Sequence, residues 1–133
     1  MEMSPGDLLD RHSILLLRRE HGDAAAIVEL KKCDAEAKAL VQDERIALLY
    51  VALMDANKTI WGLESAIRQG KSNVDLLKNH DLSDPWAVAA YAQVGMRALE
   101  IRQVNGQRIS AKNAINKLFD CPPDVKVDHA SRN

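Results

Sequence analysis

The feature that most constrains the fold of this chain is the helical periodicity of residues 84–119. The first half of the stretch repeats apolar residues, and the second half places polar residues almost in line with them, at steps that keep side chains on one helical face. The apolar positions are Ala90, Val94, Ala98 and Ile101, and the polar positions are Asn105, Arg108, Lys112 and Asn116. Because a face directed towards a core has turned polar, these groups either pair with one another or bind a ligand.

Three more helices are predicted upstream from local start and stop signals. Ser4 caps the first, which ends at Gly22, Asp23 caps the second, and Gly70 ends the third. The predicted helices span 5–20, 24–41, 43 or 44 to 68, and 85–119, with 71–83 as an irregular connection and 121–133 as a loose tail. Since 133 residues suit one domain, the sequence predicts an all-α fold, a single bundle of about four helices with a long C-terminal helix.

Polar residues interrupt the apolar faces of two other predicted helices as well. Asp10 lies on an apolar side of the first helix, and Asn57 and Glu64 lie in the middle of the apolar stripe of the third. Trp61 and Arg68 follow them, each one turn further along the same helix. Because apolar faces converge in a bundle, these groups are expected to meet. The predicted site residues are Asp10, Asn57, Trp61, Glu64, Arg68, Asn105, Arg108, Lys112 and Asn116.

One interpretation of this set is an internal salt-bridge network. Glu64 would pair with Arg108, and Asp10 would pair with Lys112. A buried charge without a partner costs several kcal/mol, so partners are required wherever such groups leave water. In this interpretation the cluster only fixes which helices pack together.

The other interpretation is a polar ligand-binding pocket. Arg108 and Lys112, one turn apart, would hold a phosphate or a carboxylate. Asn57 and Asn105 would bind amide or hydroxyl edges, and Trp61 would stack on a ring. The sequence leaves both interpretations open.

Composition and charge exclude several classes of protein. The chain is 47% hydrophobic and 28% charged, which is typical of a globular protein rather than a disordered one. The net charge of −1 provides no overall field for nucleic acid or an anionic membrane, so neither partner is expected. The longest apolar run, residues 14–17, is too short to span a bilayer, and no secretory signal is visible. Two cysteines form no disulfide framework, so we expect a cytoplasmic protein.

Signals for catalysis and for metal binding are weak. The histidines are scattered without a metal-ligand spacing, so neither a metal site nor a cofactor is predicted. Helical pyrophosphohydrolases hold magnesium with two pairs of acidic residues at helical spacing. Glu20 and Asp23 form one such pair here, but across the helix break at Gly22. A small helical enzyme of nucleotide metabolism therefore ranks third among the hypotheses.

The start of the last helix predicts self-association. Trp86, Val88 and Tyr91 lie on different sides of that helix, which is more apolar surface than one packing seam requires. A homo-oligomer is therefore expected.

Three segments of the chain carry a resemblance to a known family. Residues 4–15, 57–68 and 105–116 are similar to the patterns S-I-G-E-L-L-D-K-L-T-I-L, N-x-x-L-W-x-I-E-x-x-I-R and N-x-x-R-x-x-L-K-x-x-I-N of a small helical family of bacterial and phage domains of unknown function. The chain departs from these patterns at Pro5, His12 and Ala111, and its tail lacks the charged ending of the family. The resemblance implies no activity. It implies that Asp10, Asn57, Trp61, Glu64, Asn105, Arg108, Lys112 and Asn116 belong to one pattern.

Together these observations support a ranked set of functional hypotheses. The first is a non-catalytic protein that binds a small anionic ligand, either nucleotide-like or phosphorylated. In a phage setting such a protein would sequester its ligand. The alternative is a structural or adaptor protein that oligomerises and whose inner polar cluster only fixes the fold.

Overall fold

The computed structural model describes residues 3–76 and 85–120, and places them in four α-helices with no β-strand in those ranges. The helices are α1 (Pro5–Glu20), α2 (Ala24–Leu40), α3 (Glu44–Leu76) and α4 (Pro85–Leu118). The predicted all-α bundle of about four helices with a long C-terminal helix is confirmed. Within the same ranges, no helix combines the length and the apolar character that a membrane span requires.

Local capping chemistry sets the helix boundaries at the start of the chain. The Ser4 side chain caps α1 by accepting a hydrogen bond from the backbone N–H of Asp7 at 3.2 Å. Gly22 follows α1 with φ +88°, a conformation that disfavours any residue with a side chain. Asp23 then caps α2 by accepting from the backbone N–H of Ala25 at 3.0 Å. These boundaries confirm the sequence prediction. They could be predicted because each depends only on residues that are close together in the sequence.

The end of α3 differs from the prediction. The helix continues past Gly70 to Leu76, so residues 71–76 are helical rather than part of an irregular connection. Gly70 is buried, and a Cβ atom there would lie 3.0 Å from Val94 Cγ2 of α4. The glycine therefore permits close packing of α3 on α4 instead of ending the helix. The rest of the predicted connection and the predicted tail (121–133) lie outside the described residues.

The helices α3 and α4 form a long antiparallel pair, and α1 packs against one end of it. The antiparallel direction follows from the contacts, since Leu49 lies in one groove with Ala111 while Gly70 lies against Val94. Contacts join α1 to each of the other three helices. One buried cluster draws on all four helices, and a second joins α1 to α2. Their members are Leu9, Ala37, Ile46, Leu53, Ala111 and Ile115 in the first, and Leu15, Ala26 and Leu30 in the second.

Candidate functional site

The carboxylate of Asp10 lies at the centre of a polar network between α1, α3 and α4. Its Oδ1 atom accepts hydrogen bonds from Arg108 Nε at 2.8 Å and from Asn57 Nδ2 at 2.9 Å. Its Oδ2 atom accepts a second bond from Arg108 Nη2, so the ion pair is bidentate. Asn57 Nδ2 also donates to Ser13 Oγ at 2.6 Å, and the Ser13 hydroxyl donates to the Asp10 carbonyl oxygen at 2.8 Å. This carboxylate thus connects all three helices.

The electrostatics of Asp10 depend on its cationic neighbours. Burial alone raises the pKa of this carboxyl, since only 5% of the residue is exposed. Hydrogen bonds from Arg108 and Asn57, followed by the positive charges of Arg108 and Lys112, outweigh burial and hold the pKa of Asp10 below its ordinary value. The carboxylate is therefore ionised at neutral pH, and its ionisation stabilises the folded state relative to the unfolded one.

Further polar contacts attach the start of α1 to the end of α4. Lys112, almost fully buried, places Nζ 2.7 Å from Asp7 Oδ1 and 3.9 Å from Asp10 Oδ2. Asn116 Oδ1 accepts a hydrogen bond from the backbone N–H of Gly6 at 2.7 Å. A Cβ atom at Gly6 would lie 2.6 Å from the Lys112 carbonyl oxygen, so this contact requires glycine. These contacts fix the register between α1 and α4.

The network brings together most of the residues that the sequence singled out. Its predicted members are Asp10, Asn57, Asn105, Arg108, Lys112 and Asn116, with Asn105 Oδ1 accepting from Arg108 Nη1 at 3.0 Å. The predicted pair of Glu64 with Arg108 is wrong, because Arg108 pairs with Asp10. The predicted pair of Asp10 with Lys112 is present at 3.9 Å, although Lys112 lies closer to Asp7, at 2.7 Å. Glu64 is exposed, whereas α1 inserts Asp10 between α3 and α4.

Beside this network lies a groove of about 370 Å³ between the same three helices. Its lining residues are Ile14, Leu17 and Arg18 of α1, Asn57, Ile60, Trp61 and Glu64 of α3, and Ile101, Asn105 and Arg108 of α4. The groove therefore unites Trp61 and Glu64 with three predicted residues of the network, Asn57, Asn105 and Arg108. Arg68 is the exception, because it is exposed, is absent from this lining, and donates a hydrogen bond to Ser65 Oγ at 3.0 Å.

One wall of the groove carries an aromatic contact. The rings of Trp61 and His21 lie with centroids 4.6 Å apart and planes 33° apart, so His21 covers part of the indole. A ring bound in the groove has only the rest of the indole surface on which to stack. This contact also holds the C-terminal end of α1 against α3.

Sequence reasoning missed Arg18 as a residue of the groove. Arg18 lies in the last turn of α1, is partly buried and lines the groove. The signal was present, because Asp10, Ile14 and Arg18 follow one another at steps of four and therefore share a helical face. The polar face of α1 therefore extends one turn beyond Ile14, to Arg18.

A second polar cluster lies on the opposite side of α1, away from the groove. The His12 side chain is buried, with Nε2 2.9 Å from Asp34 Oδ1 of α2 and Nδ1 in contact with Tyr50 Oη of α3. An ionised Asp34 carboxylate can only accept a hydrogen bond, so the proton between it and the ring is on Nε2 of His12. With the proton on Nε2, the Nδ1 atom of a neutral ring accepts a hydrogen bond from the Tyr50 hydroxyl. Burial raises the pKa of Tyr50, and the nearby Cys33 and Asp34 raise it further, so the phenol stays protonated. The cluster joins α1 to α2 and α3.

Charges, amides and apolar walls surround the groove, and no buried side-chain nitrogen or oxygen of the described residues lacks a hydrogen-bond partner. Within the described ranges, no group of three or more histidine, cysteine, aspartate or glutamate residues is placed to hold a metal ion. Comparisons of the chain with protein-family models, with curated proteins and with solved structures found no significant match.

Proposed function

We propose that this chain is a non-catalytic helical protein that binds a small anionic ligand in the groove between α1, α3 and α4. The observation that carries the proposal is the convergence of Asn57, Trp61, Glu64, Asn105 and Arg108 on one groove. Binding sites for small molecules are concave, mostly apolar and furnished with a few polar groups, and they begin at about 300 Å³. The groove has this size and this mixed lining, which supports a ligand no larger than a mononucleotide, a sugar phosphate or an amino acid.

The network supports the proposal by holding polar groups in place before a ligand arrives. Asn57 uses its amide nitrogen on Asp10 and Ser13, and Asn105 uses its carbonyl oxygen on Arg108. The Asn57 carbonyl oxygen and the Asn105 amide nitrogen make no hydrogen bond among the described residues. Because no buried polar atom there is unpaired, both atoms reach solvent. They offer one acceptor and one donor to a ligand at little cost in side-chain entropy.

The two cations that the sequence assigned to an anion contribute unequally to this proposal. The Lys112 side chain is 3% exposed and is bound to Asp7, so an anion would have to displace Asp7 to reach it. The Arg108 side chain is 19% exposed and lines the groove, although Asp10 balances its charge. In this proposal Arg108 contacts the ligand, and Lys112 holds α1 in place. In a phage setting, such binding would sequester the ligand.

The experiment is a thermal melt with a panel of probes: inorganic phosphate, nucleoside monophosphates, sugar phosphates and amino acids. A ligand at a hundred times its Kd stabilises the folded state by about 2.7 kcal/mol, which raises the Tm of a chain of this size by on the order of 10 °C. Ile101→Trp, which fills the groove without removing a polar contact, should abolish the shift. Ile27→Trp, an exposed position on α2, is the matched control and should keep it. A wild type whose Tm no probe raises contradicts the proposal.

A second candidate function is an oligomerising adaptor whose polar network only fixes the fold. The observation in its favour is the exposure of large apolar side chains on α4, with Trp86 at 79%, Met96 at 63% and Leu99 at 64%. Sedimentation velocity of the wild type and of Leu99→Glu tests it. The adaptor function predicts a concentration-dependent dimer or larger species that Leu99→Glu dissociates, together with no ligand-dependent change in Tm.

A further inference from the structure

Two groups of opposite charge line the groove without pairing with each other. Arg18 of α1 and Glu64 of α3 both face this space, and neither forms an ion pair with any described residue. The cations of the network differ, because Arg108 is matched by Asp10 and Lys112 by Asp7. The groove therefore presents one positive and one negative group that are still open to a ligand.

The separation of these two charges matters for what the groove can hold. No ion pair joins Arg18 to Glu64, and their charged groups lie more than 4.0 Å apart. Arg18 is partly buried and forms no ion pair with a carboxylate of the described residues. A ligand with an anionic group and a hydrogen-bond-donating amino group would give both residues a partner at once, and would lie across the groove from α1 to α3.

We propose, resting on the function proposed above, that the ligand carries both an anionic group and an amino group. Arg18 binds the anionic group, since a guanidinium matches the two oxygens of a carboxylate or phosphate. Glu64 accepts hydrogen bonds from the amino group. The accessible amide atoms of Asn57 and Asn105 contact the part of the ligand between them, beside Trp61.

This pairing also sets the selectivity of the site. A plain anion such as inorganic phosphate gains the attraction of Arg18 but meets the like charge of Glu64, which weakens its binding. A plain amine is attracted by Glu64 but meets the like charge of Arg18. A molecule with both groups satisfies both residues, so the site selects for the combination. Amino acids offer this combination with a cationic amino group, and aminopurine mononucleotides offer it with a neutral amino group that donates hydrogen bonds; both fit a groove of about 370 Å³.

The test is isothermal titration with two matched sets of ligands. The first set is L-phenylalanine, 3-phenylpropionate, which lacks the amino group, and phenethylamine, which lacks the carboxylate. The second set is adenosine 5′-monophosphate, purine riboside 5′-monophosphate, which lacks the amino group, and adenosine, which lacks the phosphate. In one of the two sets the parent should bind at least about tenfold more tightly than either analogue, since a charged hydrogen bond contributes more than 1.4 kcal/mol. The set that shows this preference identifies the source of the ligand.

Two variants assign the preference to the proposed residues. Arg18→Gln should weaken the parent by about tenfold or more and remove the preference for the anionic group, while Glu64→Gln should remove the preference for the amino group. Arg19→Gln and Asp55→Asn, exposed positions on the same two helices, are matched controls and should leave both preferences intact. Because Arg18 and Glu64 have no ion-pair partner among the described residues, both variants should fold, as circular dichroism will check.

The outcomes separate this inference from the proposed function. A probe that binds wild type, and whose single-group analogues bind equally well, overturns the inference and leaves the binding function standing. Parent binding that Arg18→Gln or Glu64→Gln leaves unchanged does the same. If neither set binds but a sugar phosphate or inorganic phosphate does, the inference is wrong and the anionic site remains. If no probe in either experiment binds, both proposals are wrong.

Discussion

Replacing Asp10 with asparagine should destabilise the protein more than any other single loss of charge among the described residues. The residue is 5% exposed, and its carboxylate accepts two bonds from Arg108 and one from Asn57. Asparagine keeps the shape but offers one acceptor and adds an amide donor that faces cations. The Arg108 side chain, 19% exposed, would then lose its bidentate contact with a carboxylate.

The magnitude follows from the burial of the pair. Removing one partner of a buried ion pair costs about 3–5 kcal/mol, and the partial exposure of Arg108 places this case at the lower end, near 3 kcal/mol. For a chain of this length a loss of that size lowers the Tm by about 10 °C. The expected loss is a large fraction of the free energy of unfolding of a typical domain, which is about 5–15 kcal/mol.

Urea unfolding at pH 7, followed by circular dichroism, measures this loss directly. The matched control is Glu29→Gln on α2, which breaks a 2.7 Å ion pair with Arg11, the neighbour of Asp10 on α1. The Glu29 side chain is 45% exposed and the Arg11 side chain 36% exposed. An exposed pair contributes about 0–1 kcal/mol, so the control should unfold almost like wild type. If Asp10→Asn costs no more than Glu29→Gln, the network does not hold the three helices together and the reasoning fails.

Further predictions concern the His12–Tyr50 contact, two glycines and the pH dependence of Asp10. Tyr50→Phe leaves the buried His12 ring nitrogen without its partner and should cost about 1–3 kcal/mol in urea unfolding; a cost below 0.5 kcal/mol would contradict that contact. Gly6→Ala places a Cβ atom 2.6 Å from a backbone oxygen of α4 and should lower the Tm. Gly62→Ala is the matched control, because a Cβ atom there meets open space, and it should stabilise α3 by about 0.5–1 kcal/mol. Equal changes of Tm in the two alanine variants would refute the close approach of α1 to α4. Folding lowers the pKa of Asp10, so its contribution to the free energy of unfolding is fully present above the unfolded pKa of about 4. That contribution is lost as the pH falls through the lower folded pKa. Below pH 4 the Tm of wild type should therefore fall more steeply than that of Asp10→Asn.

Helix starts were predictable because they depend on residues a few positions apart. Ser4 and Asp23 act as caps within one turn, and Gly22 adopts the conformation that its lack of a side chain permits. The end of α3 was not predictable in this way. Gly70 is there for its contact with Val94, twenty-four positions away, and a local rule cannot separate that role from helix termination.

Periodicity predicted which polar residues would share a face but not which would pair. Arg108 could reach an acid on α1 or on α3, and the choice depends on where α1 crosses the other two helices. The structure selects Asp10 and leaves Glu64 at the groove. The contact of Tyr50 with His12 also depends on this crossing, and nothing in the spacing of those two residues indicates it. Faces follow from the sequence, whereas register follows from packing.

The most direct measurement of the central claim is a double-mutant cycle between α1 and α4, which are joined across 98 residues of sequence at Asp10 and Arg108. Urea unfolding of wild type, Asp10→Asn, Arg108→Gln and the double variant yields the coupling energy of the pair. Residues in direct contact within one network should couple by about 2 kcal/mol, with the double variant much less destabilised than the sum of the single ones. Additive losses, within about 0.5 kcal/mol, would mean that the two helices do not meet at this pair and that no preorganised groove exists beside it.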